Sequence, residues 1–181
     1  MRVEIRICGL GGQGVILAGE ILGLAAVLDG KYATQTRSYG SEARGSACKS
    51  DVIISDEVVR YPLIEKCDIM IAMSQPSLNI YAKSLKENGT LIIDSDLVKN
   101  IPEELSNAKV YGIKATRIAE EKYARIVANL IMLGFAAQLT GIVTVESLEK
   151  AVKERVKRMV DLNIAALREG AKLAQTHKRR N

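Results

Sequence analysis

The sequence has no tryptophan and only one phenylalanine in 181 residues, although 48% of its residues are hydrophobic. A folded core must therefore be built from Ile, Leu, Val, Ala and Met side chains. Proteins that bind single-stranded nucleic acid by stacking need aromatic platforms for the bases, and this composition argues against that mechanism. The length suggests one domain, because domains commonly contain about 100–200 residues.

Metal-binding side chains are scarce as well. The three cysteines, Cys8, Cys48 and Cys67, are far apart and form no C-x-x-C pair, and the single histidine is His177. A structural zinc site needs four ligands of the Cys or His type, and an iron–sulfur cluster usually needs four clustered cysteines. We therefore expect no metal site in this chain. The odd cysteine count argues against a disulfide framework, so we expect reduced, mostly buried thiols in a cytoplasmic protein.

Membrane and secretion signals are missing from the sequence. It starts with a charged, alternating segment, MRVEIRIC, without the apolar region of a signal peptide. The apolar run that comes nearest to the roughly 18–20 residues of a membrane span covers residues 126–139, and it is too short. We expect no membrane span.

The net charge of +5 comes from the end of the chain. Residues 149–181 contain ten Lys or Arg and four Asp or Glu, whereas residues 1–148 contain 16 and 17. A nucleic-acid-binding function would depend on the tail Lys178-Arg179-Arg180 alone. The simpler interpretation is a solvated helix face and a frayed terminus that includes His177, so no nucleic-acid partner is expected.

Hydrophobic spacing predicts alternating strands and helices. The predicted strands cover about residues 2–8, 31–38, 47–55, 68–73, 89–94 and 109–113. The predicted helices cover about residues 15–29, 75–86, 117–140 and 144 into the 170s, with Thr144 as an N-cap and Gly141 between the last two. Such repeats predict an α/β fold, a Rossmann-like layered domain with a mostly parallel sheet, flanking helices and a long C-terminal helix.

One part of the predicted sheet departs from this order. Residues 31–38 and 47–55 alternate in polarity, and the segment between them contains glycine and no helix, so these strands can pair antiparallel. We find no linker, repeat or low-complexity segment, and we predict one domain over residues 1–181 with a disordered tail at about 176–181.

The segment CGLGGQGV joins the first strand to the first helix. Gly9, Gly11 and Gly14 have the G-x-G-x-x-G spacing, which permits a tight turn and exposes helix N–H groups to an anion. An NAD site also needs an acidic residue about 20 residues later, and TQTRSYG has none, although Arg37 could accept the phosphate of NADP. The spacing leaves three alternatives: NAD(P), another phosphate ligand, or a strand–helix turn alone.

A second unusual segment, RSYGSEARGSACKSD, covers residues 37–51. It combines cations, anions and glycines in a short loop. Ligand sites of open α/β sheets lie at the carboxyl ends of strands, so this loop and the glycine loop can border one cleft if their strands are parallel. An arginine there suits a carboxylate or phosphate, and the simpler alternative is a surface ion pair between Glu42 and Arg44.

Four segments together resemble the gamma subunits of 2-oxoacid:ferredoxin oxidoreductases. They are GLGGQGVILAGEILGLAA, DGKYATQTRSYGSEARGSACKSDVIIS, CDIMIAMSQPSLNIY and NGTLIIDSDLV, and the resemblance covers about residues 3–140. The KYATQT-SYG-EARG stretch is most similar to the 2-oxoglutarate type. Ser41 and Ser46 stand where the family commonly has Pro and Gly.

The resemblance implies a subunit of a multi-subunit enzyme. Such a complex converts a 2-oxoacid, CoA and oxidised ferredoxin to acyl-CoA, CO₂ and reduced ferredoxin. Its thiamine diphosphate and Mg²⁺ lie on alpha and beta partners, and a ferredoxin-like delta partner commonly carries iron–sulfur clusters. The gamma chain is implied to bind none of these cofactors tightly and to be inactive alone.

No catalytic or metal-binding residue is therefore expected in this chain. The resemblance implies that the two loops face CoA or a partner subunit, and these alternatives stay open. The candidate residues are Gly9, Gly11, Gly12, Gln13, Gly14, Arg37, Tyr39, Gly40, Glu42, Arg44 and Gly45. A stand-alone NADP-binding oxidoreductase is the alternative function.

Overall fold

A computed structural model of the chain describes residues 1–39 and 46–178. The described residues contain one sheet of six strands in the order β2-β3-β1-β4-β5-β6. The strands are β1 (Arg2–Leu10), β2 (Tyr32–Ser38), β3 (Ala47–Ser55), β4 (Cys67–Ala72), β5 (Leu85–Asp94) and β6 (Lys109–Ile113). β1, β4, β5 and β6 are mutually parallel, and β3 is antiparallel to both β1 and β2. The predicted mixed, mostly parallel sheet is confirmed.

Helices cover both faces of this sheet. In the described residues they are α1 (Val15–Leu28), α2 (Gln75–Tyr81), α3 (Ala115–Lys122), α4 (Ala128–Thr140), α5 (Val145–Arg155) and α6 (Val160–Lys178). The core between the sheet and α1, α4, α5 and α6 is aliphatic around Phe135, and α2 covers a smaller core on the opposite face. This layering buries both faces of β1 and β4, as parallel strands require.

The predicted helix over residues 75–86 is too long. α2 begins as expected, with the Ser74 hydroxyl accepting a hydrogen bond from the Ser77 N–H, but it ends at Tyr81. A 3₁₀ turn follows, and β5 starts at Leu85, opposite Cys67. Asn88 has φ 60° in β5, and the pairing register shifts there, so the strand begins earlier than its apolar run.

The predicted helix over residues 117–140 is two helices. α3 is amphipathic on the surface, whereas α4 is buried on most sides, and a 3₁₀ turn (Arg125–Val127) joins them. The predicted last helix is likewise broken, because Val156 is extended and Met159 has φ 51°. Spacing alone missed both breaks, since each pair of helices continues the same 3.6-residue period.

The last helix also extends further than expected. α6 continues through Lys178, and the ring of His177 packs edge-on against Phe135 with 5.5 Å between ring centroids. His177 therefore belongs to the helix rather than to a separate tail. Residues 179–181 lie outside the described residues.

Candidate functional site

The carboxyl ends of β1 and β2 lie at the same edge of the sheet. β3 runs between these strands and is antiparallel to each, so β1 and β2 are parallel to one another. Leu10 and Ser38 therefore end at this edge, and Tyr39 follows there. The condition on which the predicted common cleft depended is met.

The glycine loop makes a sharp turn from β1 into α1. Gly14 is the N-cap of the helix with φ 72°, and a Cβ at this position would clash with the Asn129 side chain. α1 begins without a side-chain cap and without an acidic residue in its first turn. Its first N–H groups lack partners inside the helix, so they are available to an anion.

Gln13 ties the loop to two strands. Its Oε1 accepts a hydrogen bond of 2.7 Å from the Leu10 N–H, and its Nε2 donates to the Met73 carbonyl oxygen at 2.9 Å. Met73 follows β4, so this amide joins the ends of the two central strands. Both polar atoms of the Gln13 side chain, Oε1 and Nε2, are therefore hydrogen-bonded to the backbone.

Asn129 is a functional candidate that the sequence analysis missed. It is 2% exposed, and its Nδ2 donates a hydrogen bond of 3.1 Å to the Gly14 carbonyl oxygen. The signal was present in the sequence, because Asn129 is the first polar residue in the apolar run IVANLIMLGF. Its partner, 115 residues earlier in the chain, could be identified only from the fold.

A cleft of about 790 Å³ opens beside this loop. One wall is formed by Gly11, Gly12, Gly14 and the first turn of α1, and Tyr39, Ser46 and Cys48 continue it along the sheet edge. The connection between α5 and α6 supplies another part of the lining. The cleft therefore borders the glycine loop, as predicted, and the sequence analysis did not include its lining from the C-terminal part of the chain. Whether the second loop borders it stays a prediction, because residues 40–45 lie outside the described residues.

Three cations at and after the end of α5 line the cleft: Arg155, Lys157 and Arg158. They were counted as part of a solvated, basic C-terminal region. The fold instead places them in the lining of the same cleft as the glycine loop. The charge run KERVKR was a possible signal, but nothing in the sequence indicated which element it would face.

Arg37 does not line this cleft. Its guanidinium forms an ion pair of 2.7 Å with Glu20 of α1, beside a shallower depression along β2. Tyr39 does line the cleft and is 67% exposed. The other candidates of the second loop, Gly40, Glu42, Arg44 and Gly45, lie outside the described residues.

The thiols offer little nucleophilic chemistry. All three cysteines are free and buried. Burial raises the pKa of Cys8 and of Cys67 to about 12, and it also raises the pKa of Cys48, which lies at the cleft. Within residues 1–39 and 46–178, no three His, Cys, Asp or Glu side chains are close enough together to hold a metal ion.

Comparison with known proteins identifies the family. The family described as pyruvate ferredoxin/flavodoxin oxidoreductase matches residues 4–173. The chain belongs to this family. The match extends beyond residue 140, where the recognised motifs stopped, and includes the α5–α6 part of the cleft lining.

Several known proteins align with most of this chain. The 2-oxoglutarate synthase subunit KorC of Methanothermobacter marburgensis is 48% identical over 96% of this chain and 97% of its own length. The pyruvate synthase subunit PorC of the same organism is 36% identical over 84% of this chain and 85% of its own. The crystal structure of a keto/oxoacid ferredoxin oxidoreductase gamma subunit from Geobacter sulfurreducens has 42% identity and a TM-score of 0.87, covering 97% of this chain and 98% of that one.

These findings confirm the resemblance to oxidoreductase gamma subunits. They give no support to the alternative of a stand-alone NADP-binding enzyme, since the relatives are subunits of 2-oxoacid oxidoreductases. Among the described helices, none combines the length and the apolar character that crossing a bilayer requires.

Proposed function

We propose that this chain is the gamma subunit of a 2-oxoglutarate:ferredoxin oxidoreductase. The observation that carries the substrate assignment is its 48% identity to a 2-oxoglutarate synthase subunit, against 36% to a pyruvate synthase subunit of the same organism. The complex would convert 2-oxoglutarate, CoA and oxidised ferredoxin to succinyl-CoA, CO₂ and reduced ferredoxin.

The residues of this chain do not fit the redox cofactors of such a complex. An iron–sulfur cluster usually requires four cysteine ligands, and the chain has three cysteines, all buried and two with thiol pKa values of about 12. We therefore assign the clusters to a ferredoxin-like delta partner, and thiamine diphosphate and Mg²⁺ to alpha and beta partners. Ferredoxin is the proposed electron acceptor.

The proposed task of this chain is to close the CoA site and to hold partner subunits. The glycine loop at the edge of the sheet is shaped for this task by Gly14, Gln13 and Asn129 rather than by catalytic groups.

Purification of the complex from the native cell tests the assignment. We expect the tagged chain to retain thiamine-binding and ferredoxin-like subunits, and the complex to reduce ferredoxin with 2-oxoglutarate and CoA far faster than with pyruvate and CoA. A complex that prefers pyruvate would overturn the substrate assignment, and a chain without partners would overturn the subunit assignment.

Variants of the two loops distinguish the ligand role from the partner role. If the loops face CoA, Gln13→Ala and Arg44→Ala should raise the KM for CoA in a complex that remains assembled. If the loops face a partner, the same variants should lose co-purifying subunits. If neither property changes, the loops are turns without a role in binding.

A further inference from the structure

The two outermost strands of the sheet, β2 and β6, are its edge strands, and they differ in how they are protected from pairing with another chain. β6 is five residues long and begins with Lys109, and short strands and lysines are common protections of an edge strand. β2 is seven residues long, contains neither proline nor lysine, and pairs with β3 from Tyr32 to Ser38 without a bulge. Its one charged residue, Arg37, is already paired with Glu20. β2 is therefore the less protected of the two.

The outer side of β2 carries backbone groups that have no protein partner. In an antiparallel ladder, alternate residues direct their N–H and C=O groups away from the neighbouring strand. Within residues 1–39 and 46–178, β3 is the only strand that pairs with β2. None of the backbone hydrogen bonds formed outside the helices and strands of these ranges involves residues 32–38. The outward groups of β2 are therefore available to a further strand.

The surface beside β2 is apolar and open. A depression of about 260 Å³ runs along the strand, and Leu24, Val27 and Ala33 belong to its lining. Val27 is 53% exposed, and the neighbouring Leu28 and Tyr32 are 41% and 50% exposed. Exposed apolar side chains beside an unpaired strand are typical of an interface formed by strand addition.

The sequence of β2 is complementary to itself in one antiparallel register. When two copies pair about Gln35, all seven residues have a partner, and Thr34 lies opposite Thr36 of the second copy, which is a favourable cross-strand pair. Ala33 lies opposite Arg37 of the second copy, so the only charge in the strand meets no like charge. Paired positions in this register differ by an even number, so residues that point outward in one copy lie opposite residues that point outward in the other.

We propose that β2 is an interface between two copies of this chain, which pair β2 to β2 antiparallel and join their sheets across a twofold axis at Gln35. A twofold interface uses the same surface on both copies, so it covers both unpaired strands and does not extend into a filament. The axis is perpendicular to the sheet and leaves α1 of both copies on the same face. There the apolar side chains beside β2 can contact those of the other copy. This inference is independent of the substrate and the partner subunits in the proposed function.

Opposite charges at one position test this register in the full chain. Ala33→Lys places a lysine opposite Arg37 of the second copy, whereas Ala33→Glu places a carboxylate there, and the twofold axis makes each contact occur twice. Sedimentation equilibrium at micromolar concentrations measures the dimer dissociation constants of the wild type and both variants. Val110→Lys and Val110→Glu are the matched controls, because Val110 is 42% exposed on the other edge strand. Circular dichroism melting confirms that each variant folds.

We expect the wild type to dimerise and Ala33→Glu to dimerise about tenfold more tightly than Ala33→Lys, because two opposite-charge pairs replace two like-charge pairs. Both Val110 variants should dimerise like the wild type. A wild-type chain that stays monomeric throughout the concentration range would overturn the proposal. Equal dissociation constants for the two Ala33 variants would overturn it as well, since the register would then be wrong.

Amide hydrogen exchange of the wild type tests the same interface without any substitution. Peptides covering residues 32–38 should exchange more slowly as the protein concentration rises, whereas peptides covering residues 109–113 should not change. A dimer whose β2 amides gain no protection is joined by another surface, which contradicts the proposal. If the chain is monomeric and these amides are protected only in the assembled complex, a strand of a partner subunit pairs with β2 and the second copy is excluded.

Discussion

At the scale of single residues, the most demanding feature of the molecule is a buried ion pair. Arg6 and Asp51 are directly opposite one another on β1 and β3, and two hydrogen bonds of 2.7 Å join them while their side chains are only 4% and 3% exposed. Arg6 also donates to the Ile64 carbonyl oxygen, and Lys49 donates to Asp51. These hydrogen bonds offset part of the cost of taking both charges out of water.

Removing one charge of this pair should strongly destabilise the folded protein. We expect Asp51→Asn to lower the free energy of unfolding by about 3 kcal/mol, because it leaves the buried Arg6 without its counter-charge. Urea denaturation measures the change. Lys150→Gln, which breaks the exposed pair with Glu146, is the control and should leave the midpoint nearly unchanged. A midpoint for Asp51→Asn equal to that of the control would contradict this account.

At the scale of elements, the molecule depends on the close contact of α4 with α6. Gly134 and Gly170 lie at this contact, where a Cβ on Gly134 would clash with the Leu167 carbonyl oxygen and one on Gly170 with the Ile131 carbonyl oxygen. The helices approach so closely because these two positions lack side chains. This packing sets where α6 begins and so where the α5–α6 part of the cleft lining lies.

Gly134→Ala should therefore destabilise the protein, although alanine favours helices. We expect overpacking to cost about 3 kcal/mol, the upper end of the usual range, because the new Cβ would meet backbone atoms. The gain in helix propensity offsets only about 1 kcal/mol of this cost. Gly23→Ala in α1 is the matched control, since a Cβ there meets no atom within 4 Å, and it should be neutral or stabilising. Thermal unfolding of both variants checks the prediction, and equal melting temperatures would refute it.

A second link between elements depends on pH. Asp29, just after α1, accepts hydrogen bonds from the Thr144 N–H, the Thr144 hydroxyl and the Ser147 hydroxyl at the start of α5. Burial acts to raise the pKa of Asp29, but these hydrogen bonds outweigh it and hold the pKa below its ordinary value of 3.8. The ionised carboxylate thus stabilises the folded state above that value.

We expect the contribution of the Asp29 carboxylate to folding stability to be complete at neutral pH. It should disappear as the pH falls below 3.8 and through the lowered pKa of Asp29 in the folded state. The measurement compares the unfolding of wild type and Asp29→Asn across this range. The stability difference should be largest at neutral pH and should shrink in acid. A difference that stays constant with pH would show that the carboxylate charge plays no part.

At the scale of the whole molecule, the described residues form a cleft beside an α/β scaffold, their three cysteine thiols are buried, and no three His, Cys, Asp or Glu side chains among them could together hold a metal ion. Several apolar side chains at the rim of the cleft are exposed, including Ile126 at 64% and Met159 at 54%. Exposed apolar surface beside a binding cleft is typical of an interface or ligand site.

The isolated chain should consequently be inactive. We expect no reduction of ferredoxin when the purified chain is given 2-oxoglutarate and CoA, because it lacks the four clustered cysteines that an iron–sulfur centre needs. Adding the partner subunits should produce activity that depends on this chain, and partners without it serve as the control. Substrate-dependent reduction of ferredoxin by the chain alone would contradict the assignment of the iron–sulfur clusters to a partner subunit.

The sequence predicted most of the sheet because alternating or continuous apolar runs bounded by polar residues are a clear signature of strands. Residues 47–55 and 109–113 match β3 and β6, and the antiparallel position of β3 followed from the missing helix before it. The prediction failed at Tyr123 and Met159, where helices break. Whether a helix breaks at such a position depends on which neighbouring elements its side chains pack against. The spacing of apolar residues contains no information about those neighbours.

The sequence by itself determined the family, the α/β class and the turn at Gly14, because these depend on local motifs and backbone sterics. Only the tertiary structure decided what lines the cleft. Asn129 contacts Gly14 from 115 residues away, and Arg37 is paired with Glu20 outside the cleft. Lys157 and Arg158 line the same cleft as the start of α1. Such contacts join distant segments, and their geometry is set by packing of the whole chain rather than by residue spacing.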